Sequence, residues 1–178
     1  HGILIKGGVY LEEGHKLSWL AFDKTGTITH GKPSVTDTAV LDTSSGVDAI
    51  RIATSLAARS DHPVSRAIAV AAETSGTIPQ EVSDLVALPG RGVRGTVAGV
   101  SYQLGNHRLI HELGVCSSAL ETRLGELEEQ GKTVILLTDG QRVLVLFAVA
   151  DTVKDSSRAA IRALHELGIR TAMLTGDN

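Results

Sequence analysis

Cysteine, aromatic side chains and long apolar runs are scarce in this chain of 178 residues. Its lone Cys116 excludes an internal disulfide and a cysteine-based zinc cluster, and it is compatible with a reducing compartment. The longest purely apolar run, Val143 to Ala150, has eight residues where a membrane helix needs about 20, so no segment is expected to insert into a bilayer. Neither charge dominates. The 17 Lys and Arg face 20 Asp and Glu, a net charge of −3 without a basic stretch to neutralise a phosphate backbone, so nucleic acid is not expected as a partner. What is present is 42% hydrophobic residues, enough for one packed domain or two small ones and too much for intrinsic disorder. The chain opens on His1, lacks the charged-then-apolar order of a signal peptide, and stops at Asn178 directly after a strand-like run; it reads as a piece of a longer polypeptide.

Leu17 to Phe22 is a nearly continuous apolar run, the pattern of a strand covered on both faces, with Asp23 at its carboxyl end. Between Gly31 and Gly46 the Pro, Thr, Ser and Asp content predicts a linker with at most one short strand, and a change of domain there. Helical spacing returns over Val47 to Ala58, with Ser45 near the cap, and again from His62, where Pro63 suits the first helical position. Period-two patterns flank Ala98-Gly99 and Asp139-Gly140-Gln141, which predicts two antiparallel hairpins, over 93–104 and 133–148. A Glu-rich helix from Ser118 to Gln130 separates them and stops at Gly131. After Asp151, Ala160, Ala163, Leu164 and Leu167 line one helical face, Gly168 is the stop, and Arg170 to Leu174 reads as a buried strand. The order predicts an α/β domain interrupted by an α+β domain, with antiparallel strands flanked by helices in the insert. In open α/β sheets ligands bind beyond the carboxyl ends of the strands, which makes Asp23 and Thr175 a candidate site.

The sharpest chemical signal is Asp23-Lys24-Thr25-Gly26-Thr27. A carboxylate at a strand end followed by a Gly-containing loop can meet a phosphoryl group, with backbone amides, Lys24 and the Thr hydroxyls cradling its oxygens. Such an Asp can act as a nucleophile and form an acyl phosphate, and a divalent cation is needed to neutralise and align the repelling anions. The plainer alternative is an Asx-type turn that ends a strand.

These five residues match the phosphorylation motif of the P-type ATPases, and further segments resemble the heavy-metal branch of that family in the same order. Gly2-Ile3-Leu4-Ile5-Lys6-Gly7-Gly8 is similar to the segment after a membrane helix, and Ser60-Asp61-His62-Pro63 to the branch's Ser-Glu-His-Pro motif. Gly90-Arg91-Gly92-Val93 resembles its Gly-x-Gly-Val loop, Gly105-Asn106 a later Gly-Asn pair, and Thr175-Gly176-Asp177-Asn178 the second phosphoryl-site motif. The resemblance implies a partial haloacid dehalogenase-like, Rossmann-type phosphorylation domain over 1–31 and 150–178, interrupted by a nucleotide-binding domain over 32–149. It implies Asp23 as phosphoryl acceptor, with Lys24, Thr25, Thr175, Gly176 and Asp177 around it. It further implies that Asp23 and Thr25 belong to an incomplete Mg²⁺ site and that His62, Pro63, Gly90, Gly92, Val93, Gly105 and Asn106 hold ATP. It also implies that the remaining site residues, the membrane helices and the actuator domain lie outside these residues, and that the region works at the cytoplasmic face of a membrane. The 178 residues alone are expected to bind ATP weakly and to show no turnover.

His62 before a helix-initial Pro is fixed in place and able to face a base; Gly90 and Gly92 would let the backbone approach a ligand, and Asn106 could bond to sugar or base. A β-branched residue at 92 is then expected to weaken ATP binding without unfolding the domain. Two departures from the pattern stand out. Where many copper-transporting relatives carry a Glu five residues before the His, this chain has Ala57, which favours the zinc, cadmium or cobalt exporters over the copper ones. Where the family often has Asp-x-x-Arg, Asp151 is followed by Lys154, which keeps the charge without the planar fork. No second Cys or spaced His accompanies Cys116, so no site for a transported metal is expected here. Two other readings compete: a phosphatase or dehalogenase-like hydrolase, and a non-catalytic ATP-binding module. Against the first, the general-acid Asp two residues after the nucleophile is here Thr25, which cannot cycle a proton near neutral pH.

Overall fold

A computed structural model of the chain describes residues 4, 6–43 and 48–174. The chain divides into two compact units, His1–Lys32 with Asp151–Asn178, and Pro33–Ala150. Two strands run through the divisions: β2 (Thr29–Val40) and β7 (Val143–Val153).

In the first unit α1 (Gly8–Glu13) precedes β1 (Trp19–Asp23), and α6 (Asp155–Glu166) leads into β8 (Arg170–Leu174). β1 and β8 pair in parallel, with Trp19 opposite Arg170 and Asp23 opposite Leu174. The Arg170 guanidinium lies 5.3 Å from the centre of the Trp19 ring, a cation–π contact at the start of the pair. β1 is not covered on both faces as its apolar run suggests. Trp19, Ala21 and Asp23 are exposed, and Leu20 and Phe22 are half-buried, because two strands and α6 are too little structure to enclose it. For the same reason the apolar face of α6 is not buried: Ala160, Ala163 and Leu167 are exposed, while Ile161 and Leu164 are half-buried. Gly168, at φ 77°, ends α6 as expected, since the left-handed region favours Gly.

The second unit is a six-stranded sheet in the order β2-β7-β6-β5-β4-β3, antiparallel from β7 through to β3. It contains β3 (Ser83–Leu88), β4 (Gly92–Val97), β5 (Val100–Asn106) and β6 (Thr133–Thr138). Both predicted hairpins form. Ala98 and Gly99 have φ 50° and 79°, as a two-residue turn matched to strand twist requires. In the second turn the Asp139 carboxylate accepts from the amides of Gln141 (2.9 Å) and Arg142 (3.0 Å).

Leu56 of α2 (Ala49–Ala57) and Ile68 of α3 (Pro63–Thr74) share a core with alternate residues of the sheet, among them Val97, Leu104, Leu137 and Phe147. Helices α4 (His107–Glu112) and α5 (Ser118–Glu129) bring Ile110, Leu120 and Leu124 to Val134, Leu136 and Leu146 in a second cluster. The period of two therefore feeds two cores from one strand: Leu136 goes to one and Leu137 to the other, each fully buried and worth about 1.5–3 kcal/mol. Among the described residues no helix is long and apolar enough to cross a membrane.

Three local expectations change. The stretch read as a linker is mostly β2, twelve residues long, with Pro33, Val35, Asp37 and Ala39 alternating inward. β2 is an edge strand, the position in a sheet that tolerates Pro. The cap of α2 is Asp48, whose carboxylate accepts from the Arg51 amide at 3.0 Å, rather than Ser45, which lies outside the described residues. β3 and α4 carry too short an apolar pattern to have been marked.

Candidate functional site

Asp23 is exposed at the last position of β1, in extended backbone (φ −68°, ψ 139°). From there Lys24–Ile28 forms one wide turn, closed by the Thr29 amide donating to the Lys24 carbonyl. Gly26 sits at φ 77° with open space where a Cβ would be, so its backbone is both left-handed and approachable.

What fixes this turn comes from far along the chain. Thr29 is 2% exposed; its hydroxyl accepts from the Gly26 amide at 3.2 Å and donates to the Asp151 carboxylate at 2.5 Å. The Lys24 carbonyl lies 3.1 Å from the same hydroxyl, but one proton serves one acceptor and the charged, nearer Asp151 takes it. The other Asp151 oxygen accepts from the Lys32 amide at 3.3 Å. Lys154 reaches back to the turn, where its ammonium donates to the carbonyls of Gly26 (2.7 Å) and Thr27 (3.2 Å) and its amide to Ile28 (3.0 Å). Ser157 adds a 3.5 Å bond to the Thr27 carbonyl. With two carbonyls drawn toward Lys154, the turn is braced by the residues that start α6. The Lys at 154 thus has a position-specific use, although the sequence shows it only as a substitute for Arg. Thr29 and Ser157 carry no motif by which sequence alone would find them.

Asp23 and Thr25 present hard oxygen donors of the kind Mg²⁺ takes, one carboxylate between them. Thr175, Gly176 and Asp177 lie outside the described residues, as do Gly2, Ile3 and Ile5 of the first matched segment.

In the second unit, Gly90, Gly92, Val93, Gly105 and Asn106 come together at one corner. Gly92 pairs with Gly105 and Val93 with Leu104 across β4 and β5. The Asn106 amide donates to the Arg91 carbonyl at 2.8 Å and its side-chain nitrogen to the Gly90 carbonyl at 3.0 Å, while its side-chain oxygen caps α4 by accepting from the Leu109 amide at 3.2 Å. Arg91 is fastened in turn by a forked pair with Glu112, at 2.5 and 3.0 Å. The two loop glycines differ. Gly90 (φ 68°) faces open space, so a ligand can reach its backbone. At Gly92 (φ 151°) a Cβ would stand 2.1 Å from the Leu104 carbonyl oxygen and 2.5 Å from the Gly105 Cα, so this glycine is required by the pairing of β4 with β5. The expectation that a β-branched residue at 92 leaves the fold intact is therefore corrected.

His62 caps α3 on a separate element, its Nδ1 accepting from the Val64 amide at 3.4 Å next to Pro63. In the neutral ring this leaves the proton on Nε2, which is then a donor. Among the described residues no hydrogen bond joins His62 to the Gly90 corner. Ala57, the last residue of α2, is fully buried in the core, where a carboxylate would cost several kcal/mol without a partner.

On the other side of the sheet, a cleft of about 680 Å³ between α4 and α5 holds His107, Glu121 and Glu128. Burial and the neighbouring Glu121 carboxylate push the nearby Cys116 thiol up to about 11, and the hydrogen bond from Cys116 is the main cause that holds Glu121 below its ordinary value.

The haloacid dehalogenase-like hydrolase family model matches residues 17–178. A probable cadmium-transporting ATPase of Staphylococcus aureus is 44% identical over 99% of this chain and 25% of its own length. A copper-exporting P-type ATPase of Staphylococcus saprophyticus is 38% identical over 100% of this chain and 22% of its own. The crystal structure of a zinc-transporting PIB-type ATPase in an E2.Pi state superposes with a TM-score of 0.87 at 32% identity, over 98% of this chain and 28% of that one. The chain thus spans about a quarter of the length of the curated relatives it matches.

Proposed function

The chain belongs to the haloacid dehalogenase-like hydrolase family, with metal-transporting P-type ATPases as its relatives, and from that premise we propose that it is the ATP-binding and phosphorylation region of a heavy-metal cation exporter. The observation that carries the reading is Asp23 itself: an exposed carboxylate at the end of a parallel strand, opening a turn whose carbonyls and Gly26 are fixed by Thr29, Asp151 and Lys154.

In this reading an Asp23 oxygen attacks the γ-phosphorus of ATP, the bond from that phosphorus to the bridging oxygen breaks, and ADP leaves with the electron pair. The product is an acyl phosphate on Asp23. Asp23 and Thr25 would hold Mg²⁺, which when bound would neutralise charge on the phosphate oxygens. Thr25 stands where a hydrolase would carry a proton-shuttling carboxyl, so nothing at that position hurries water onto the acyl phosphate, which suits a pump and not a phosphatase. The second unit holds the nucleotide. Its His62 Nε2–H donates to the base, beside Pro63, and the open backbone at Gly90 faces the phosphates or sugar, in a corner completed by Gly92, Val93, Gly105 and Asn106.

The partners of this region are then the membrane helices and actuator domain of the same protein, and it works at the cytoplasmic face of the membrane. Zinc, cadmium or cobalt is favoured over copper as cargo by Ala57, fully buried where the copper type carries an acidic residue, and the cadmium-transporting relative of Staphylococcus aureus is 44% identical. The test is Asp23→Asn in the full-length protein: ATP still binds, and metal-stimulated hydrolysis is lost. Hydrolysis at the wild-type rate in the Asn variant would refute the proposal.

A further inference from the structure

The start of α4 and the start of α5 meet, and the meeting brings together three different metal-ligating side chains that lie far apart in local spacing. His107 is the first residue of α4, Cys116 precedes Ser117, the N-cap of α5, and Glu121 lies in the first turn of that helix. One Glu121 oxygen is 3.0 Å from the His107 Nε2 and the other 2.9 Å from the Cys116 Sγ. The three ligand atoms all lie within 4.8 Å of one another. In a tetrahedral zinc site with bonds of about 2.0–2.3 Å, ligand atoms stand roughly 3.3–3.8 Å apart, so small rotations of these side chains suffice.

A further carboxylate stands behind the histidine. The remaining ring nitrogen of His107, Nδ1, is 3.3 Å from both oxygens of Glu128. In the metal-free protein Nε2 donates to Glu121 and Nδ1 to Glu128; with a cation in place of the Nε2 proton, the Nδ1–H held by Glu128 would keep the ring in orientation, as carboxylates do behind histidine ligands in metal sites. His107, Glu121 and Glu128 line the cleft between α4 and α5, so an ion has a path in. Of the cations on the rim, Arg108 is engaged with Glu112 at 3.0 Å and Lys132 with Asp37 at 2.7 Å.

We propose that His107, Cys116 and Glu121 form a binding site for a borderline-soft divalent cation of the zinc and cadmium class, with Glu128 as the residue that positions His107. The donor set of one imidazole nitrogen, one sulfur and one carboxylate oxygen selects against Mg²⁺ and Ca²⁺, which take oxygen alone. On binding, the Cys116 thiol proton and the His107 Nε2 proton pass to solvent, and the thiolate sulfur and the freed nitrogen bond to the metal. Three protein ligands leave a fourth position to water, as in open zinc sites. The proposal does not depend on the phosphoryl chemistry at Asp23, and it corrects the expectation that no histidine accompanies Cys116: the partner is supplied by the fold and not by a short motif.

The experiment titrates the purified chain with Cd²⁺ alone, following the ultraviolet thiolate-to-cadmium charge-transfer band, and with Zn²⁺ against a chromophoric chelator. One equivalent of Cd²⁺ is expected to saturate the band in the presence of excess Mg²⁺, and Asp23→Asn to leave it unchanged. Cys116→Ser is expected to abolish the band, and His107→Gln and Glu128→Gln to weaken Zn²⁺ affinity by about 10–100-fold, each with an unchanged circular dichroism spectrum. Absence of the band in the wild-type chain at one equivalent of Cd²⁺ would overturn the proposal whatever the variants do. Equal Zn²⁺ affinity in His107→Gln and wild type would overturn it as well.

Discussion

The Thr29 hydroxyl donates to the Asp151 carboxylate at 2.5 Å across 122 residues of sequence. The same hydroxyl accepts from the Gly26 amide, so one buried oxygen ties the turn after Asp23 to the segment that opens α6. Thr29→Val keeps the shape and removes both bonds, leaving the Gly26 amide and an Asp151 oxygen without this partner. It should destabilise the first unit by about 1–3 kcal/mol, and Thr29→Ser should restore most of the loss. Chemical denaturation of the three proteins decides it; equal midpoints for Val and wild type would remove the bracing role.

Lys154 acts on the same turn through the carbonyls of Gly26 and Thr27. Lys154→Met keeps most of the side chain's length and loses the donors, so in the full-length protein phosphorylation from ATP should slow by about 10-fold or more while ATP affinity stays the same. A weakened ATP affinity with an unchanged phosphorylation rate would place Lys154 in nucleotide binding instead.

The two glycines of the Gly90-Arg91-Gly92 loop should separate cleanly. Gly92→Val drives a side chain into the Leu104 carbonyl and should cost about 3 kcal/mol or more, read as a large fall in the melting temperature of the second unit. Gly90→Ala meets no atom within 4 Å and pays only for its left-handed backbone, about 1–2 kcal/mol. A melting temperature for Gly92→Val above that of Gly90→Ala would contradict the packing described.

His62 has two jobs that different variants divide. As the cap of α3 it holds the Val64 amide, and in the proposed function its Nε2–H meets the base. His62→Asn preserves a good cap, so it should keep the stability of wild type yet bind ATP more weakly, whereas His62→Ala should lose about 0.5–2 kcal/mol of stability as well. Calorimetric titration with ATP and thermal melts of both variants provide the check; undiminished ATP affinity in His62→Asn would exclude the ring from the pocket.

The Asp23 motif was legible because its residues are contiguous and their chemistry is read off directly. The bracing of that motif was not, since Thr29, Asp151, Lys154 and Ser157 meet only through the fold. The hairpins were legible from period two and from turn residues with positive φ, such as Gly99 and Gly140. β2 was not, because its Thr, Ser, Asp and Pro content is that of a loop, and what makes it a strand is a sheet edge that accepts such residues. Gly92 was marked as a place where backbone meets ligand; the structure adds a tight approach of strand to strand that the sequence does not reveal. The His107, Cys116 and Glu121 cluster gave no signal, since its members come from the ends of two different helices.

The central claim is that Asp23 receives the phosphoryl group, and it is tested most directly by locating the acyl phosphate. Full-length protein is mixed with Mg²⁺-ATP, quenched in acid within seconds, and reduced with borohydride, which converts an aspartyl phosphate to homoserine. Peptide mass spectrometry is predicted to find homoserine at position 23 in the ATP-treated sample and unmodified Asp23 when ATP is omitted. Homoserine at another aspartate, or phosphate carried on a threonine of the turn with Asp23 intact, would contradict the account.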